Sequence, residues 1–219
     1  MDHDGSETAF EERLVRHCAP TLAGIKPANL FVFRGCARPT AGVPRDRTRR
    51  CPACPLSSEA GIERCRRRLS CHGVSISVLA GRRTGSLTYV YRPCLLAREL
   101  ERPDVAEYLE SLGYAVGSLD ACVERLASRV RSREEDRGLC AWDSFPHEIG
   151  FFLGYPSEDV FAFIENEGKG GLCTGCWKVY GQERSAKETF CRYKDCERKL
   201  YGLYEQGASL EELAMLAAS

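Results

Sequence analysis

The chain lacks a net charge: 31 Lys and Arg stand against 31 Asp and Glu across 219 residues. No global field therefore draws it to nucleic acid or to an anionic membrane, and nucleic acid is not an expected partner. It lacks any apolar run approaching the roughly 18 residues that cross a bilayer, so no membrane partner is expected either. It lacks a secretory start. Met1-Asp-His-Asp-Gly-Ser-Glu is acidic and polar, where an export leader opens with basic residues, and the expected location is the cytoplasm. It lacks an internal repeat, which sets aside solenoids and propellers. Lysine is scarce, at six residues.

Cysteine is abundant instead. Thirteen cysteines in a chain without an export leader do not read as a complete disulfide framework, and the odd count points the same way. Three readings remain: buried small hydrophobes, metal ligands or redox thiols. The apolar and charged fractions, 43% and 28%, are those of a globular protein, and the length is enough to bury a sizeable core.

Periodicity and punctuation give the organisation. Residues 7–18 carry Ala9, Phe10 and Leu14 at helical spacing, and Pro20 is expected to follow the helix end. Residues 30–33 read as a buried strand. The stretch 35–57 is rich in Pro, Gly and Arg and reads as an inserted loop. A basic helix follows over 58–71. The alternation over 74–79 and 87–91 predicts a β-hairpin. Helices are expected over 94–100, 103–112 and about 118–133, with a turn or short strand at 113–116 and a linker over 134–144. Pro146 and Pro156 open two further helices, and Gly154 separates them. A glycine loop at 166–171 and an extended segment over 172–180 lead to a long helix over 182–204, with Ala186, Phe190, Tyr193 and Leu200 facing inward. Ser209 and Glu212 form a capping box for a last helix. The fold class expected is α+β: a small, mostly antiparallel sheet covered by helices, with a helical C-terminal half. We expect one domain over 1–219, an α+β part at 7–140 with a helical part at 145–219 docked on it.

Several unusual strings occur in one order: Arg16-His-Cys-Ala-Pro-Thr-Leu-Ala-Gly-Ile-Lys26 with Asn29 and Leu30, then Val90-Tyr-Arg-Pro93. The densest string fills 145–160, and Cys176-Trp-Lys-Val-Tyr180 follows with Tyr193. Through these the chain resembles a bacterial family catalogued as domain of unknown function 3793, over about residues 7–34 and 60–215. The insertion with Cys36, Cys51 and Cys54 departs from that pattern. The resemblance implies no established activity and leans toward iron or redox physiology.

The candidate chemistry is centred on 145–160. A Pro-His-Glu helix start puts His147 at the second helical position and Glu148 at the third, about 100° apart. One can then face a pocket while the other braces the helix end. Histidine is the usual proton carrier near neutral pH and a common metal ligand. The string is not a zinc-protease motif, because Phe151 stands where the second His would be. The alternative is a capping Glu beside a hydrogen-bonded His. Tyr155 at the turn completes the catalytic candidates.

For ligand binding, Tyr91 and Arg92 close a strand, and Arg suits two-pronged recognition of a carboxylate or phosphate. Lys26 and Lys178 can add to an anion site, with His17 and Asn29 nearby in the same string. The alternative is a surface salt bridge. Cys173-x2-Cys176 with Cys191 and Cys196 resembles a zinc ribbon. However, five residues on a helix put Cys191 and Cys196 about 140° apart. Cys51-x2-Cys54 with Cys65, Cys71 and His72 is a second candidate cluster. Zn or an Fe–S cluster is the cofactor these sets would take. Residues 147–166 can be read as a helix-turn-helix, but Glu158, Asp159 and Glu165 oppose phosphate contact, which leaves an αα-hairpin. The Arg-rich stretch 34–68 is the one plausible nucleic-acid surface.

Three functions follow as expectations. The first is an enzyme or small-ligand-binding protein with an anion pocket around His147 and Arg92. The second is a metal-binding redox or iron-handling accessory protein. The third is a non-catalytic interaction module.

Overall fold

A computed structural model describes residues 5–34, 55–82, 85–135 and 145–216. Most of the expected insertion, 35–54 with Cys36, Cys51 and Cys54, lies outside the described residues, as does 136–144 of the expected linker. The helices are α1 (Gly5–Leu22), α2 (Pro55–Ser70), α3 (Pro93–Leu100), α4 (Pro103–Ser111), α5 (Leu119–Glu135), α6 (Ile149–Phe152), α7 (Ser157–Glu165), α8 (Glu183–Glu205) and α9 (Leu210–Met215). The strands are β1 (Ala28–Phe33), β2 (Ser75–Arg82), β3 (Gly85–Tyr91), β4 (Cys173–Thr174) and β5 (Lys178–Val179). The protein is therefore mixed α+β with a helical C-terminal half.

The main sheet is antiparallel throughout, in the order β1-β3-β2. β3 is central, and the period-2 alternation of its side chains divides the core. Leu87, Tyr89 and Tyr91 join a cluster with residues of α3 to α7. Val90 joins Phe31, Phe33 and Ile76 in a second cluster with α1, α2, α8 and α9. Helices thus cover both faces of the sheet, which is the usual way to bury a sheet that is apolar on both sides. A bulge between Val78 and Ala80 places Leu79 and Ala80 together in the first cluster.

Two local expectations are corrected, and an open one is settled. α1 runs through Pro20 to Leu22 instead of stopping before it. Proline in the last turn forfeits one backbone bond, while Cys18, Ala19 and Leu22 are fully buried by the continued helix. Of the turn or short strand expected at 113–116, the turn is the one that forms. Helix α6 starts at Ile149, not at Pro146. The amides of Ile149, Gly150 and Phe151 bond three residues back, to Pro146, His147 and Glu148 at 3.0–3.1 Å. His147 and Glu148 therefore sit in a tight 3₁₀-type turn ahead of the helix.

The chain then turns sharply. Gly154 has φ +66°, and a Cβ there would lie 2.1 Å from Pro27 Cγ. Only glycine meets both demands. The contact fixes the α6–α7 corner against the loop that follows α1. On the other side, the Tyr89 hydroxyl donates to the Phe152 carbonyl at 2.6 Å, tying α6 to the central strand.

Candidate functional site

The turn before α6, the α6–α7 corner, α7 and β5 enclose a cavity of about 250 Å3. His147, Tyr155, Phe163 and Trp177 contribute rings to its lining, and Lys178 and Asp159 are also on its wall. Gly150 lets α7 approach, since a Cβ there would meet Val160 Cγ2 at 2.7 Å. His147 is half-buried and packs edge-on against Phe163, with centroids 5.4 Å apart. Tyr155 lies at a tilt over Trp177 at 5.3 Å. Burial pushes the Tyr155 phenol up to about 12, so at neutral pH it is a hydrogen-bond donor and not a base. The Lys178 ammonium donates to the Gly168 carbonyl at 2.5 Å.

In the sequence Asp159 stands out only as one of the acidic residues that oppose phosphate contact. It is 3% exposed and accepts three bonds. Trp177 Nε1 donates to one carboxylate oxygen at 2.8 Å, and the amides of Tyr180 and Gly181 donate to the other at 2.7 and 3.0 Å. Asp159 thereby fastens the β4–β5 hairpin to α7 and orients the Trp177 ring that walls the cavity. The signal available in sequence was weak: a buried carboxylate near a tryptophan N–H eighteen residues away.

Other candidates lie elsewhere. Glu148 turns away from the cavity and is 3% exposed. It accepts from the Tyr114 hydroxyl at 2.9 Å and from Arg129 Nε. Arg92 donates to four carbonyls: Thr21 at 2.7 Å, His72 at 3.2 Å, Ala214 at 2.9 Å, and Leu22. It gathers the C-terminal ends of α1 and α9 with the turn after α2. Tyr91 stacks on Tyr89 at 5.1 Å within the core. The Asn29 side chain accepts from the Thr21 hydroxyl at 2.7 Å. His17 stacks on Phe31 at 5.4 Å, and burial, then Arg13 and Arg16, lower its pKa. None of these five lines the cavity. Lys26 reaches Tyr155 from outside the cavity lining, its Nζ 5.3 Å from the ring centroid.

Cys173 lies in β4 and is half-buried, while Cys176 is exposed in the hairpin turn. Cys191 and Cys196 stand on the unbroken helix α8. Among the described residues no three His, Cys, Asp or Glu side chains gather where a metal could be held. The arginines of α2 are largely matched by acids. Arg66 pairs with Glu63, and Arg68 with Glu11 at 2.8 Å and Glu211 at 2.6 Å. A wider hollow along α8, from Glu183 to Asp195, is bounded by that one helix alone. No described helix is long and apolar enough to cross a membrane.

The sheet, its two helical layers and the aromatic-walled cavity define an α+β protein with a small pocket flanked by a cysteine-bearing hairpin. The chain belongs to the family described as protein of unknown function (DUF3793), which matches residues 14–214. No curated protein and no solved structure matches it.

Proposed function

We propose that the protein binds a small, planar, mostly apolar molecule in the cavity between α6, α7 and β5. The observation that carries this is the lining itself. Aromatic and aliphatic walls surround one imidazole, His147, and one lysine, Lys178. That is the usual composition of a ligand site: apolar walls for affinity and a few polar groups for orientation. At about 250 Å3 the volume falls below the roughly 300–1,000 Å3 of sites for drug-sized ligands, so a single-ring compound is the natural size. His147 supplies a ring nitrogen for a hydrogen bond to the ligand. In this reading Arg92 supports the site from a distance, as a tie between helix ends, and does not touch the ligand.

Ligand-observed NMR with a panel of one-ring and fused two-ring compounds tests this, using phenol and indole as neutral members. Binding to the wild type is expected, with at least a tenfold loss in His147→Leu at unchanged helix content. If no panel member binds the wild type, or if His147→Leu binds equally well, the cavity is not a ligand site.

A further inference from the structure

We propose that Lys26 is the cation of a second binding site, for a small monocarboxylate, beside the rings of Tyr155 and Tyr193, sharing the Tyr155 ring with the cavity at His147. Lys26 lies in the loop after α1, where its backbone amide donates to Pro20 at 3.2 Å. The residue is 5% exposed. Its Nζ stands 5.3 Å from the Tyr155 centroid and 5.7 Å from that of Tyr193. Among the described residues no hydrogen-bond acceptor and no ion-pair partner meets this ammonium. Two surface lysines differ. Lys169 pairs with Glu167 at 2.5 Å and Lys187 with Glu183 at 2.6 Å.

The Lys26 side chain is buried while its ammonium keeps contact with water. Two aromatic faces favour the charge, but they offer its N–H donors no acceptor. A carboxylate would take those donors and match the charge. Tyr155 and Tyr193 also carry phenols that burial holds in the protonated, donating form. The surroundings favour one negative charge over two. Lys26 is the buried cation at the site, and Glu197 on α8, Cys18 from α1 and Cys176 from the hairpin turn act on it, Glu197 from beyond ion-pair range. Lys194 of α8 acts on Glu197 and Cys176, and Arg192 on Tyr193. A dianion such as phosphate would meet more repulsion from Glu197 than a monoanion does.

Burial lowers the Lys26 pKa against the opposing pull of Cys176, Cys18 and Glu197. A bound carboxylate restores the charged form, so binding and protonation are linked. Affinity should fall tenfold for each pH unit above the Lys26 pKa of the free protein. The test is NMR of protein carrying 13C-labelled lysine, since the six lysines give few signals. The Lys26 Cε signal should titrate below the other five. Benzoate should shift that signal and raise its pKa, while Lys26→Met loses benzoate binding and keeps the binding of neutral indole at the cavity. Failure of every neutral panel member, with benzoate still bound at Lys26, sinks the cavity reading and leaves this one standing. A Lys26 signal unmoved by benzoate in the wild type overturns the proposal, as does equal binding of benzoate to Lys26→Met. Inorganic phosphate binding more tightly than benzoate overturns the assignment to a monocarboxylate.

Discussion

Asp159 receives three N–H donors from residues 177–181 while only 3% exposed. A buried carboxylate with that many donors cannot be trimmed without leaving them unmatched. Replacing Asp159 with Ala should cost about 2–3 kcal/mol, the worth of hydrogen bonds to a charged group. It should also free the β4–β5 hairpin, because the indole N–H of Trp177 loses its acceptor. Urea unfolding measures the first effect, and a red shift of tryptophan emission in the folded protein measures the second. An unchanged spectrum together with unchanged stability would mean that the hairpin is held by the Trp177–Phe190 contact alone, whose rings lie 4.5 Å apart. Glu148 is the instructive counterpart. It is adjacent to His147 in sequence and equally buried with Asp159, yet its partners Arg129 and Tyr114 lie away from the cavity. A tight turn sends two neighbouring side chains into different surroundings. Which of the two faces the cavity was not readable from their identities.

At the scale of elements, the corner between α6 and α7 is where local and tertiary demands coincide. Gly154→Ala would force a Cβ into the left-handed region, at about 1–2 kcal/mol. It would also drive that Cβ against Pro27, where the space is 2.1 Å. The loss should therefore exceed the conformational cost alone. Gly113→Ala, at φ +79° with its nearest atom on the flexible Arg125 side chain at 3.3 Å, should cost only the conformational part. Thermal unfolding of the two variants side by side makes the comparison, and equal losses would remove Pro27 from the account. This corner also shows what a sequence can tell. Pro146, Gly154 and Pro156 act through their own backbone preferences, so the helix stop and the second helix start were legible. The capping box at Ser209 and Glu212 was legible for the same reason, and it forms. The hairpin of β2 and β3 was legible because its alternation is local. Pro20 misled because burial of Cys18, Ala19 and Leu22 outweighs one missing backbone bond. The site was half legible. His147, Tyr155 and Lys178 were singled out and share the cavity, whereas Asp159 and the Phe163 wall depend on partners distant in sequence.

Across the whole molecule, two arginines gather the helices of one layer, α1, α2 and α9. Arg92 collects carbonyls from α1, from α9 and from the turn after α2. Arg68 grips Glu211 of α9 through both oxygens, at 2.6 and 2.8 Å, and Glu11 of α1 at 2.8 Å. The hydrogen bond from Arg68 holds the Glu211 carboxyl below its usual value of 4.5. A carboxyl with a depressed folded-state pKa stabilises the fold above its unfolded pKa, and the contribution disappears as the pH falls through the folded value. Arg68 stays charged throughout, since its partners only raise its pKa. The wild type should therefore be more stable than Glu211→Gln at pH 6–7. The gap should hold down to about pH 5 and close as the pH drops below 4.5. Urea midpoints for the two proteins between pH 3 and 7 measure it. Taking the difference cancels the other carboxylates, which titrate alike in both. A gap that persists unchanged at pH 3 would place the stabilising role of Glu211 in its packing or its amide-compatible hydrogen bonds and not in its charge. No gap at pH 7 would leave α9 held by Leu210, Leu213 and the Arg92 bond to Ala214 alone.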